Sequence, residues 1–344
     1  MKRDSKMDSS EDRILLAHGS GGELSYQLVS SLFAKSFQNP LLQPLDDSAV
    51  FSAEGTRWAF TTDSYTVTPI FFPGGNIGKL AVCGTVNDLA MSGARAHFLS
   101  SGFIIEEGFL FSDLKSIVQS MQETAAEAGV QIVTGDTKVV NRGAADGVFI
   151  NTAGIGRIPP GINISGHNAR PGDKVLISGT IGDHGVAILS AREGLEFSTT
   201  LVSDCAPLNL LVEKLVTASP HIHCLRDPTR GGLSSTLNEF ARQSGVGIWV
   251  EENRIPVKDE VRGACELLGF EPWNLANEGK LVAIVKAEAA EAVLRGMKDH
   301  PLGRDAAMIG EVKENPAGKV ILRTPIGSSR LLDIMVGEPL PRIC

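Results

Sequence analysis

Between Arg157 and Asp173 the chain carries Pro159, Pro160, Gly161, Gly166, Pro171 and Gly172. No other feature limits the fold as much. Prolines and glycines at that density interrupt both helices and strands, so the chain divides near its middle. Its 344 residues also exceed the roughly 250–300 that one hydrophobic core usually supports. The expected organisation is a charged N-terminal extension over 1–13, a first domain over 14–158, a second over 159–332, and a flexible tail over 333–344.

Both halves mix strands and helices. Arg57 to Asp63 reads as a strand ending in an acid, and Ile77 onward as a helix with Asn87 and Asp88 near its end. Ser112 is placed to cap an amphipathic helix whose apolar positions are Leu114, Ile117, Val118, Met121 and Ala125, closed by Gly129. Val130 to Thr134 reads as a strand entering a loop, Gly135-Asp136-Thr137-Lys138. In the second half, helices are expected over 183–192, 208–217, 232–243, 259–268 and 287–297, separated by strands. The fold class is therefore mixed α/β (α+β) with two domains. The last residues, Gly337 to Cys344, include Pro339 and Pro341, which forbid a helix and favour an extended tail.

Composition excludes several functions. The chain is 42% hydrophobic and 21% charged, ordinary for a globular protein. No apolar run approaches the roughly 20 residues of a membrane span, and the charged start has no secretory pattern; the expected location is the cytoplasm. A net charge of −8 with scattered basic residues argues against nucleic acid. Cys83, Cys205, Cys224, Cys265 and Cys344 contain no Cys-x-x-Cys pair, so neither a disulfide framework nor a zinc site is written here. Cys344 stands apart as the last residue. An extended tail from Asp333 would reach roughly 40 Å, far enough to carry a covalently bound group into a cleft.

Several motifs bear on chemistry. His18-Gly19-Ser20-Gly21-Gly22 is a glycine-rich loop able to crowd backbone amides round a phosphate, and equally a plain turn. There is no Walker A loop and no dinucleotide fingerprint. Asp46, Asp47, Asp63, Asp88 and Asp136 each sit beside small or polar residues; as a set they suit hard-oxygen coordination of magnesium, and singly each suits a cap or turn. Lys138 could offset phosphate charge or be a solvated loop lysine. Asp183, Arg230 and Glu278 lie in glycine-flanked turns, where an arginine fork suits phosphate oxygens and a carboxylate suits proton transfer.

Taken in order, these segments resemble the HypE family of hydrogenase maturation factors, within the aminoimidazole ribonucleotide synthetase-like (PurM-like) superfamily. The matching stretches include His18-Gly-Ser-Gly-Gly22, Asp46-Asp-Ser-Ala-Val50, Thr61-Thr-Asp-Ser-Tyr65, Thr134-Gly-Asp-Thr-Lys138, Gly182-Asp-His-Gly185, Asp227-Pro-Thr-Arg-Gly-Gly232, Asn277-Glu-Gly-Lys280 and Pro341-Arg-Ile-Cys344. The terminal motif separates this family from selenophosphate synthetase and thiamine monophosphate kinase relatives. The resemblance implies a two-domain PurM-like fold, ATP and Mg2+, a homodimer formed through the first domains, a carbamoyltransferase HypF that loads Cys344, and transfer to a HypC–HypD complex. It implies a nucleotide site drawing on His18, Gly19, Ser20, Gly21, Gly22, Asp46, Asp47, Asp63, Asn87, Asp88, Asp136, Thr137, Asp183 and Arg230, with Asp46, Asp63, Asp88 and Asp136 at the metal. Lys138 and Glu278 are the pair it implies for action on the thiocarbamate.

The implied reaction is ATP-dependent dehydration of S-carbamoyl-Cys344 to S-cyano-Cys344, the cyano group becoming a ligand of hydrogenase iron. A small-molecule kinase or synthetase of the same superfamily and a non-catalytic thiol carrier are the competing readings. Magnesium-dependent ATP hydrolysis with the tail present and removed separates the three.

Overall fold

The computed structural model describes residues 13–192, 200–335 and 342–344. Nearly all of the expected N-terminal extension, and Pro339 and Pro341 of the tail, lie outside the described residues.

The first half begins with α1 (Glu23–Leu28) and α2 (Ala34–Ser36), followed by β1 (Ala49–Ala53) and β2 (Thr56–Tyr65). A short hairpin of β3 (Phe71–Phe72) and β4 (Gly75–Asn76) leads into α3 (Ile77–Met91). Then come β5 (Arg95–Glu106), α4 (Phe111–Ala128), β6 (Gln131–Val140) and β7 (Val148–Ile158). The long strands form one sheet in the order β1-β2-β7-β5-β6. β5 and β6 run parallel and the other neighbours antiparallel. Side chains alternate across β2, so Ala59, Thr61 and Tyr65 turn inward while Phe60, Thr62 and Ser64 turn outward.

α3 is buried over almost its whole circumference, as expected of a helix apolar all round. It packs against β2, β7 and α4 on one side and meets the second half on the other. Its start is fixed by Asn76, whose Oδ1 accepts the N–H groups of Gly78 (2.9 Å) and Lys79 (3.1 Å). α4 ends where Gly129 adopts φ 68°, the left-handed conformation glycine takes freely. Its expected Ser112 cap is not formed: Leu110 is the N-cap, and the Ser112 hydroxyl donates to its neighbour Asp113.

The second half contains β8 (Lys174–Ile177), α5 (Asp183–Ala191), α6 (Asn209–Ala218), β9 (Ile222–Arg226), α7 (Gly232–Ser244), β10 (Gly247–Glu251) and α8 (Asp259–Leu268). β11 (Val282–Val285), α9 (Ala287–Lys298), β12 (Ala307–Lys313), β13 (Lys319–Arg323) and β14 (Ser329–Leu331) complete it. The sheet order is β14-β13-β10-β12-β8-β11-β9. Every residue of β11 is buried, because the sheet is covered on both faces. α7 covers one face, around Phe240, Ile177 and Ile248. The other face joins the first half in a continuous core that includes Leu80, Val86, Leu89, Leu176, Leu211 and Ala283. The two halves therefore meet through apolar packing with α3 between them.

One expected loop is a strand. Gly135-Asp136-Thr137-Lys138 lies in the middle of β6, because β5 is long enough to pair with it from Gln131 to Val140. No helix among the described residues is long and apolar enough to cross a membrane.

Candidate active site

A cavity of about 250 Å³ opens between the two halves. The first half supplies Gly21, Asp47, the end of β2 (Asp63, Ser64, Tyr65), and Gly84 and Asp88 from α3. The second supplies Arg226 and Asp227 at the end of β9, then Thr229 and Arg230, Thr236 and Glu239 of α7, and Glu278. Cys344 completes the lining.

Strand alternation aims Asp63 at α3, where Asp88 faces it one turn from the helix end. Thr61 Oγ1 donates to Asp88 Oδ2 (2.8 Å), and Tyr65 donates its hydroxyl hydrogen to Asp63 Oδ2 (3.2 Å). Gly84 is the residue that fits beneath that tyrosine: a Cβ there would come within 2.2 Å of the Tyr65 hydroxyl oxygen. Asp47 pairs with Arg226 at 2.8 Å, and Arg226 also pairs with Glu239.

Six buried or half-buried side-chain carboxyls, those of Asp47, Asp63, Asp88, Asp227, Glu239 and Glu278, thus share the cavity with two arginines. Burial pushes Asp47 up to about 7 against the opposing pull of Arg226. It also raises Asp63, against the pull of Arg230. Asp88 is pushed well up by burial and then by the Asp63 carboxylate, and Asp227 by burial and then by Asp47. Glu278 is raised well above the usual carboxylate range, chiefly by burial. Arg230 is held firmly protonated by Cys344 foremost, against its own burial, with help from Asp63 and Glu278. This concentration of hard oxygen donors, held toward protonation for want of positive charge, suits a divalent cation. Among the described residues no three such groups converge as a ready-made cage. Magnesium needs none, since it is held by one or two carboxylates together with phosphate oxygens and water.

The tail enters this cavity alongside the segment that follows β2. The Thr66 N–H donates to Cys344 O (3.0 Å) and the Thr68 N–H to Arg342 O (3.1 Å). The Arg342 guanidinium donates back to Thr66 O (2.8 Å) and pairs with Asp146. Arg192 bridges Thr68 O (2.9 Å) and Arg342 O (3.0 Å). Ile343 is buried in the shared core.

The cavity gathers Gly21, Asp47, Asp63, Asp88, Arg230, Glu278 and Cys344 from the residues expected at the site. Others lie elsewhere. His18 accepts the Leu15 N–H on its own ring (3.0 Å) and Ser20 donates to Ala17 O (2.9 Å), so with Gly19 and Gly22 they close a turn of which Gly21 alone reaches the cavity wall. Asp46 is occupied by Ser165 Oγ (2.7 Å) and the Gly166 N–H (3.0 Å), a clasp on the inter-domain segment. Asp183 is buried with Thr180 (2.8 Å) and Lys258 (2.7 Å). Asn87 is fully buried and spends its amide on the second half: it donates to Ala206 O (3.2 Å) and Glu278 O (3.4 Å) and accepts the Leu208 N–H (2.7 Å).

Asp136, Thr137 and Lys138 lie on the exposed edge strand β6, where Lys138 and Asp136 pair at 2.6 Å. Register carries Asp136 to Gly102, Asn151 and Ser64 in turn. That puts Asp136 three strands, about 14 Å, from β2 and on the face opposite Asp63. The expected pair of Lys138 and Glu278 is not assembled within one chain. Tyr65 and Glu239 carry no site expectation in the sequence, and Arg226 and Asp227 belong to the motif around Arg230 without being expected at the site themselves. Asp227 followed by Pro228 reads as a helix cap, and only the fold reveals that its carboxyl enters the cavity.

Comparisons with known proteins agree with this architecture. The family profiles "AIR synthase related protein, N-terminal domain" and "AIR synthase related protein, C-terminal domain" match residues 45–158 and 170–323. The chain is 54% identical over 340 residues to carbamoyl dehydratase HypE of Azotobacter vinelandii, covering 99% of this chain and 100% of that one. It is 53% identical to carbamoyl dehydratase HypE of Escherichia coli K12, covering 97% and 100%. Among solved structures, a HypE–HypF complex aligns with TM-score 0.86 at 53% identity, over 90% of this chain and 99% of that one. A HypE in complex with ATP aligns with TM-score 0.82 at 53% identity, over 96% and 100%.

Proposed function

Since this chain belongs to the HypE family of carbamoyl dehydratases, on the AIR synthase-related (PurM-like) fold, we propose that it dehydrates a carbamoyl group carried on Cys344 Sγ to a cyano group at the expense of ATP. The observation that carries this reading is the seating of Cys344 in one cavity with Arg230, Glu278 and the acids Asp47, Asp63, Asp88 and Asp227. The ATP complex of a relative 53% identical supports the nucleotide.

Oxide is a poor leaving group, and ATP as co-substrate supplies the phosphoryl group that converts the carbamoyl oxygen into phosphate. The balance is simple. The carbamoyl oxygen gains the phosphoryl group as ADP departs, the C–O bond then breaks, and both nitrogen-bound protons are lost, leaving sulfur bound to C≡N. Asp63 and Asp88, whose carboxyls act on each other across the cavity, would hold Mg2+ together with phosphate oxygens and water, and it would offset phosphate charge. The hydrogen-bonded tail fixes where Cys344 presents its cargo, which is the positioning that phosphoryl transfer mainly requires. Arg230, beside Cys344, stabilises negative charge on the transferred group. Glu278 accepts the amide protons, and burial makes its carboxylate a stronger base than a solvated one.

HypF is the expected donor of the carbamoyl group, supported by the HypE–HypF complex of a relative, and a HypC–HypD complex on hydrogenase iron the expected acceptor, in the cytoplasm. A homodimer through the first-half sheet is supported by its outer face, where Phe60, Phe98 and Ile104 are exposed among the described residues. Lys138 and Asp136 would then act on the tail of the second chain. The test is Glu278→Gln: with HypF, carbamoyl phosphate and ATP, mass spectrometry of the C-terminal peptide should find the carbamoyl form accumulating and the species one water lighter reduced at least tenfold. Cyano product at the wild-type rate would remove Glu278 from the reaction.

A further inference from the structure

His184, of the Gly182-Asp-His-Gly185 motif, lies in the first turn of α5 and outside the cavity lining. It is completely buried, with its ring edge-on to Phe72 at 5.6 Å. Its Nε2 lies 2.8 Å from Ile343 O and its Nδ1 2.8 Å from Ser203 Oγ. A carbonyl only accepts, so Nε2 carries the hydrogen and Nδ1 accepts from the serine hydroxyl. Ser203 Oγ in turn accepts the Cys205 N–H at 3.0 Å. Burial holds the imidazole below its ordinary pKa, toward the neutral form this wiring needs. Every polar atom of the imidazole and the serine hydroxyl then has a defined role, and one of them is spent on the tail.

The same loop holds the turn of Glu278. Asp204, next after Ser203, accepts the Glu278 N–H (3.0 Å) and pairs with Lys280 (3.0 Å). The Ala206 N–H donates to Glu278 O (3.3 Å). Gly279 packs so tightly on this loop that a Cβ would come within 1.8 Å of Asp204 O. Residues 203–206 therefore touch the docked tail through His184 at one end and the catalytic carboxylate's backbone at the other.

We propose that His184 is the positioning residue that seats the Arg342-Ile343-Cys344 segment, and that Ser203-Asp204 links this seating to the placement of Glu278. The role of Glu278 rests on the dehydratase reading; the seating by His184 does not, and the test below measures seating without nucleotide or carbamoyl donor. The full-length protein is treated with iodoacetamide and alkylation of Cys344 is followed by the mass of its peptide; Cys83, Cys205, Cys224 and Cys265 are buried and serve as internal controls. His184→Leu, which cannot donate to Ile343 O, should alkylate at Cys344 at least tenfold faster than wild type. His184→Gln, whose amide can both donate and accept, should restore most of the protection. An unchanged rate in the leucine variant, or equal acceleration in both, overturns the proposal, since the second outcome reports a merely space-filling ring. Should the leucine variant lose its melting transition, Ser203→Ala decides: several-fold faster alkylation supports the seating and wild-type protection overturns it. Hydrogen exchange completes the test, with the peptide spanning Glu278 expected to exchange faster in His184→Leu; unchanged exchange there overturns the link to Glu278.

Discussion

At the scale of single residues, the cavity's acids pose the sharpest physical problem, because each is buried with fewer cations than carboxyls. Asp47, raised from 3.8 to about 7 by burial, makes the consequence measurable. A carboxyl whose folded pKa lies above its unfolded value adds stability below the unfolded value and gives it up as pH rises through the folded one. Without nucleotide or metal, the wild-type melting temperature should therefore fall across the window between those two values. Asp47→Asn should flatten that fall, and calorimetry at several pH values checks it; identical slopes in both proteins would contradict the assignment. Asn87 teaches a different lesson. As a polar residue beside Asp88 it suits a ligand contact on sequence grounds, yet it bonds three backbone groups of the second half. Asn87→Ala takes this partner from the Leu208 N–H and Ala206 O, while Glu278 O keeps the Ala206 N–H; it should cost about 3 kcal/mol, read by urea unfolding, with ATP affinity within twofold of wild type. A large loss of affinity at unchanged stability would return Asn87 to the nucleotide site.

At the scale of elements, what could be read in advance followed the strength of local signals. α4 announces itself through spaced apolar residues and Gly129, and the helices from Gly232, Asp259 and Ala287 likewise begin and end near their expected places. Their periodicity is set by a single buried face, which a sequence records directly. β6 is different. Gly135-Asp136-Thr137-Lys138 looks like a loop because glycine and aspartate are poor strand formers, and it is drawn into the sheet by its pairing with the distant β5. The candidate site was legible in the same uneven way. Asp63, Asp88, Arg230, Glu278 and Cys344 stand out by residue type and turn context, whereas Asp227 resembles a cap and Tyr65 resembles core. Asp46 and Asp47 are adjacent and chemically identical, yet one clasps Ser165 and the other faces the cavity. Only the path of the backbone separates them.

At the scale of the whole molecule, the two halves share a core, enclose the cavity and receive the tail between them, so the site exists only when all three are assembled. The proposed homodimer through the outer face of the first-half sheet would extend this to a second copy. If Lys138 acts across a homodimer, a mixture of Cys344→Ala and Lys138→Ala chains should form hybrid dimers with activity clearly above either variant alone. A mixture no better than its parts would confine the chemistry to one chain or discharge Lys138 from it. The proposed dehydration requires sulfur at Cys344 to bring its cargo into the cavity between the two halves. Carbamoyl phosphate labelled with 13C, supplied with HypF and ATP, tests this most directly by 13C NMR of the isolated protein. The predicted result is a thiocyanate carbon attached to Cys344, dependent on ATP and absent from Cys344→Ala; label that becomes cyanide on any other residue, or on a chain lacking that cysteine, would contradict it.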